Sequence, residues 1–161
     1  MSFWSTLWST LFGKIAMTLL ISMVPVVELR GAIPIATANG LNFWAAIVLS
    51  VIGNLIPVPF IILFIQKIFA WLRSVNSWLD RLVTRLEKRA ENKSATVQKY
   101  AFWGLFFLVA IPLPGTGAWT GSLVAAMLNM PLKKAFPAIA LGVVGAAVIV
   151  ALVTFGAFAI F

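Results

Sequence analysis

The 161-residue chain is 62% hydrophobic and 10% charged, against about half apolar and a quarter charged in soluble domains. Its surplus apolar surface must therefore face lipid, and one all-α membrane domain over residues 1–161 is expected. Lys and Arg number 12 against 4 acids, and both Cys and His are absent. Disulfides, zinc fingers, haem ligation through His, thiolate nucleophiles and imidazole-dependent triads are thereby excluded, and the chain is expected to be no enzyme and to hold no metal or cofactor.

In chain order, Trp4 and Trp8 lie four residues apart with Leu7 and Leu11 on the same stripe, an interfacial helix entry. Lys14 follows this stretch instead of preceding it, so no cleaved signal peptide is expected. The apolar run from Ile15 to Val27 is interrupted by Pro25 and followed at once by Glu28, Arg30, Gly31 and Pro34. Two half-length helices meeting at a break between Pro25 and Pro34 fit better than one continuous span, because each proline removes a backbone donor. The Asn39, Gly40 and Asn42 stretch then reads as a turn with a helix cap, completing a re-entrant hairpin.

Phe43 to Gln66 is 24 residues without a formal charge, enough to cross a hydrocarbon core of about 30 Å. Asn54, Pro57 and Pro59 predict a kink in its second half. Residues 67–99 hold eight of the twelve cations and three of the four acids, with Phe69, Leu72, Val75, Leu79, Leu82, Val83 and Leu86 at helical spacing. An amphipathic helix on the anionic cytoplasmic leaflet is the reading, with a solvated helical linker as the alternative. A second broken segment, from Ile111 through Pro112, Leu113, Pro114, Gly115, Thr116 and Gly117, precedes an apolar helix. A last run from Ala135 to Phe161 is long enough to span, with Gly142 and Gly145 available for close contact.

Sliding the chain by 90 positions lays Gly31 on Gly121, Ala36 on Ala126, Asn39 on Asn129 and Ala45 on Ala135. The expected fold is accordingly two re-entrant helical hairpins and two full spans in an inverted repeat. The first repeat is 1–66, the basic connector 67–99 and the second repeat 100–161. This topology puts Lys133 and Lys134 on the same cytoplasmic face as the connector, as the positive-inside rule favours. The cell membrane of a bacterium or archaeon is the expected location.

Glu28 and Arg30 are the only formal charges expected at membrane depth, where each needs a partner or water. In one reading they form a mutual ion pair, or bond Asn54 and freed carbonyls, and merely lock the hairpin tip. In the other, Glu28 is protonated reversibly or binds a cation, and Arg30 anchors an anionic substrate group. The opposing tip adds Thr116, Thr120 and the glycines Gly115 and Gly117, ahead of a helix whose N-terminal N–H groups favour anions. The expected substrate or ion site is thus Glu28, Arg30, Asn54, Thr116 and Thr120. The hairpin breaks are assigned to Pro25, Gly31, Pro34, Pro112, Pro114, Gly115 and Gly117.

The run Pro25 to Pro34 (PVVELRGAIP), together with Ile111 to Gly121 (IPLPGTGAWTG), resembles the small multidrug export protein family, distantly similar to DedA membrane proteins. That resemblance implies a transporter-like fold with two re-entrant hairpins, and the DedA relatives are linked to proton-driven translocation of lipid phosphates. The DedA pattern of arginines flanking the second proline is absent here, where Val109, Ala110, Ile111, Pro112 and Gly115 stand. A small secondary transporter or lipid translocase is therefore expected. It would move an amphipathic or anionic substrate, a lipid phosphate or a drug-like molecule, coupled to protons or another cation. The partners expected are membrane lipids, especially anionic ones, and a second copy of the chain, because two spans and two hairpins hardly enclose a cavity alone; no nucleic acid is expected. The competing reading is a non-transporting scaffold that organises lipids or proteins through its basic helix.

Overall fold

The computed structural model describes residues 8–75, 94–113 and 115–160. Among these residues every regular element is an α-helix: α1 Leu11–Met23, α2 Glu28–Ala38, α3 Phe43–Leu55, α4 Pro57–Val75, α5 Ser94–Ala110, α6 Ala118–Met127 and α7 Leu132–Ile160. Local side chains start two of them. Thr10 Oγ1 accepts from Gly13 N at 3.1 Å to begin α1, and Asn42 Oδ1 accepts from Trp44 N and Ala45 N at 3.0 and 3.3 Å to begin α3.

Two stretches are long and apolar enough to cross a membrane, Phe43–Ile68 and Leu132–Gly156. The first is jointed at Ile56, where Pro57 opens α4 and the freed Gly53 carbonyl loses its donor. By contrast α1, α2 and α6 have 13, 11 and 10 residues, or about 15–20 Å each, short of the roughly 30 Å a span requires. The first break is also narrower than the sequence implies. It occupies residues 24–27, and Gly31 and Pro34, assigned to it above, lie inside α2. Gly31 N donates to Val27 O at 3.0 Å, and Pro34 in the helix interior forfeits only the one bond to Arg30 O.

The same turn is built twice. At the end of α2, Leu41 N donates to Ala36 O and Gly40 N to Thr37 O, both at 3.0 Å. At the end of α6, Met130 N donates to Ala125 O at 2.9 Å and Asn129 N to Ala126 O at 3.1 Å. Each is a paired helix-end motif that needs a left-handed residue, supplied by Gly40 at φ 76° and Asn129 at φ 49°. Structurally Asn129 therefore matches Gly40 and not Asn39. The 90-residue offset that holds where α2 and α6 begin becomes 89 where they end, because α6 is one residue shorter.

These turns sit at opposite ends of the first long segment. Lys14 Nζ donates to Gly40 O at 3.3 Å, so the first turn returns to the start of α1, beside the start of α3. Gln66 Nε2 donates to Met130 O at 3.2 Å, so the second turn lies beside the far part of α4. Helix α1 packs on α2 and α3, and α5 on α6 and α7, while α2 meets α7 and α6 meets α4. The shared core holds Leu29, Ile33, Ile62, Val109, Ile139 and Val143. Gly142 and Gly145 permit the approach of α5 and α7: a Cβ on Gly142 would lie 2.9 Å from Phe106 O, and one on Gly145 3.2 Å from Ala110 Cβ. The outward surface is apolar, with Phe12, Trp44 and Leu152 largely exposed.

Helix α4 continues past Lys67 to Val75, and α5 begins before Tyr100, at Ser94. The expected amphipathic helix falls mainly on residues 76–93, outside the described residues, as does Pro114.

Candidate functional site

The two breaks meet. Glu28 opens α2 with φ 48° and is 4% exposed. Its Oε1 accepts from the backbone N–H of Trp119 at 3.4 Å, 91 residues along the chain. Helix α6 begins at Ala118 behind Gly117, an N-cap residue with no side chain of its own. Glu28 thus puts a carboxylate where an Asp or Ser cap would put its oxygen, at the positive end of the α6 dipole. Gly117 is required for this on two counts: its φ is 130°, open essentially to glycine, and a Cβ there would collide with the Glu28 carboxylate. The contact is braced by Trp119 Nε1, which donates to Met23 O at 3.0 Å at the end of α1.

Arg30, two residues on, reaches the preceding part of the same opposing tip. Its Nη1 donates to Leu113 O, and its Nη2 donates to Thr116 O at 3.1 Å and to Thr116 Oγ1 at 2.9 Å. None of these bonds goes to Glu28. Thr116 organises the loop that receives Arg30: its Oγ1 lies 2.8 Å from both Ile111 O and Leu113 O and accepts from Leu113 N at 3.2 Å. Thr120 Oγ1 donates to Gly115 O at 2.9 Å, and Gly115 takes φ 82°. Arg30 Nε is buried and has no partner. On the first tip Val26 stands 96% exposed at φ 82°, a rare conformation for a β-branched residue and a sign of strain between Pro25 and Glu28.

The structure therefore brings Glu28, Arg30, Thr116 and Gly117 together, with Thr120 and Gly115 supporting the loop and Pro25 and Pro112 flanking it. Asn54 is 1% exposed within α3, and its Oδ1 has no hydrogen-bond partner. Trp119 N and the Leu113 carbonyl are parts of the site that side-chain reading passes over, since backbone groups carry no residue signature. Ser50, four residues before Asn54 and also buried without a partner, was visible in principle as the other polar residue of an i, i+4 pair in an apolar run.

Both side chains of the first tip are held by the second: the Glu28 carboxyl by a helix N-terminus, the Arg30 guanidinium by carbonyl oxygens. Separating the tips would strip both charges of these partners together, and a group that takes the place of either partner would loosen the contact. Away from the tips, a groove of about 750 Å³ runs between the start of α3 and the later part of α7, lined by Phe43, Trp44, Ile47, Val148, Leu152 and Phe155. Thr37 and Asn42 bring polar atoms to it. Among the described residues no cluster of His, Cys, Asp and Glu is suited to a metal ion.

Compared with known proteins, residues 28–149 match the model of the family described as "Putative small multi-drug export protein". That match begins at Glu28 and takes in both sides of the tip contact. No curated protein and no solved structure matches the chain.

Proposed function

This chain belongs to the small multi-drug export protein family, and from that premise we propose that it is a membrane transporter whose gate is the contact between two re-entrant hairpins. The observation that carries the reading is that Glu28 and Arg30 of the first tip both find their hydrogen-bond partners on the second. Transporters of the inverted-repeat kind place substrate and coupling-ion sites where broken helices point their ends at the membrane midplane. Here the end of α6 already holds an anion, and that anion is the protein's own Glu28. Protonation of Glu28 removes the charge that favours the α6 N-terminus, and an anionic group on a substrate competes for the same N–H. Either event weakens one half of the tip contact and frees α6 to move against α2. The groove between α3 and α7 suits an amphipathic, drug-like molecule or a lipid chain entering from the bilayer.

Three features support the re-entrant arrangement. Helices α1, α2 and α6 are too short to span, the two turns sit at opposite ends of the α3–α4 segment, and the tips meet between them. Lys67 follows Gln66, while Lys133 and Lys134 follow the second turn, so these cations share one end and Lys14 lies at the other. The positive-inside rule then makes the Lys67 end cytoplasmic, together with the connector. We read the protein as non-enzymatic, as coupled to protons or another cation, and as a homodimer, since two spans and two hairpins hardly enclose a cavity alone.

A second reading is favoured by the same bonds. If the tips never part, the contact is a permanent lock and the protein is a scaffold for lipids or partners. Purified protein in vesicles with an imposed pH gradient separates the two. Transport predicts flux of an amphipathic cationic dye or a labelled lipid phosphate in wild type and its loss in Glu28→Gln. A wild type that moves neither supports the scaffold.

A further inference from the structure

Every buried residue of α1 is small or hydroxylated, namely Gly13, Thr18 and Ser22, while Leu11, Phe12 and Leu20 face outward. The buried face of α3 has the same character, with Ala46, Ser50, Gly53 and Asn54. The two helices run parallel and close together: a Cβ on Gly53 would collide with Ser22 Oγ and lie 2.7 Å from Leu19 O. Such a seam is usual between membrane helices, but its hydrogen bonding is not. The other fully buried hydroxyls among the described residues bond back to their own helix, Thr18 to Lys14 O at 2.7 Å, Ser22 to Leu19 O at 2.9 Å and Ser122 to Ala118 O at 2.6 Å. Ser50 does not. Its Oγ is buried with no partner, and so is Asn54 Oδ1 one turn later. Unpartnered buried polar atoms at helix–helix contacts are rare and ask for a ligand or an ordered water.

The oxygens here offer more lone pairs than protons, the Ser50 O–H being the one hydroxyl proton among them not already given to a carbonyl. Ser22 has given its proton to Leu19 O, Asn54 Oδ1 can only accept, and Pro57 has no N–H for the Gly53 carbonyl. Helix α1 ends at Met23, so the negative end of its dipole lies just past Ser22. No carboxylate belongs to this set, which suits a single positive charge and not the calcium or magnesium ions that carboxylates hold. We propose that this junction binds one monovalent cation through Ser50 Oγ, Asn54 Oδ1, the Gly53 carbonyl and Ser22 Oγ. It deepens the transport reading by giving a coupling ion a place one helical packing contact away from the hairpin tips, and it rests on that reading only for its role in flux.

The test is equilibrium binding, read without transport. Full-length protein in nanodiscs is unfolded thermally in sodium, potassium or choline chloride at equal ionic strength. The expected result is a saturable rise of the midpoint with sodium or potassium that choline does not give. Ser50→Ala with Asn54→Leu should abolish that rise while leaving the midpoint in choline unchanged or higher, because an unpartnered buried group is removed. A wild-type midpoint indifferent to the cation, as an ordered water at the junction would give, overturns the site, and so does an undiminished rise in the double variant. A protein that binds the ion as described yet moves no substrate keeps this site and loses the transport reading.

Discussion

At the scale of single residues, the tip contact ties the identity of one glycine to one carboxylate. Gly117→Ala places a Cβ against Glu28 and forces a non-glycine residue to φ 130°, so it should lower unfolding stability by about 1–3 kcal/mol. Glu28→Ala should relieve the collision but not the backbone strain. In a double-mutant cycle read by denaturant unfolding in mixed micelles, the two changes should therefore cost less together than the sum of their separate costs; additive costs would separate the two residues. The sequence exposes Glu28 and Arg30 because they are formal charges in an apolar stretch. It does not expose their partners, since Leu113 O, Thr116 O and Trp119 N are backbone groups 83 to 91 residues away. The short spacing of Glu28 and Arg30 invites an ion pair on paper. Glu28 instead serves the helix start and Arg30 the carbonyl loop, because α2 presents successive residues to different sides.

At the scale of elements, the repeated turn is a local test of the internal duplication. Gly40→Ala should cost about 1–2 kcal/mol, the penalty for a left-handed L-residue. Asn129→Gly should keep the turn, because the position already holds φ 49°. A destabilising Asn129→Gly would mean that the asparagine side chain, not its backbone angle, matters there. The first turn is legible from Asn39, Gly40 and Asn42. The second is harder to see, because asparagine takes the position that glycine takes in the first, which shifts the apparent register by one residue. Breaks are misjudged for a related reason: Gly31 and Pro34 look like interruptions, yet a helix tolerates both once its neighbours pack, Leu29, Ala32 and Ile33 all being fully buried around them. The hairpins also fix which ends share a side. With single cysteines at Lys67, Lys133 and Asn39, an impermeant maleimide should reach the first two from one face of sealed vesicles and the third from the other. Labelling of the cysteines at 67 and 133 from opposite faces would contradict the second hairpin.

For the whole molecule, composition alone places the chain in lipid, while the orientation proposed from its charges also needs the two turns at opposite ends. What composition cannot supply is the meeting of the two breaks, a contact between segments about ninety residues apart that depends on how α2 packs on α7 and α6 on α4. That meeting is the central claim: Glu28 and Arg30 hold a gate, and the gate serves transport. The most direct measurement is flux through vesicles containing Glu28→Gln, Arg30→Met. Glu28→Gln keeps an acceptor for Trp119 N, and Arg30→Met keeps an unbranched stem while removing the buried cation, so the variant should insert and assemble. The account predicts that this folded protein has lost pH-gradient-driven flux of the substrate wild type carries. A folded double variant with full wild-type flux would contradict it.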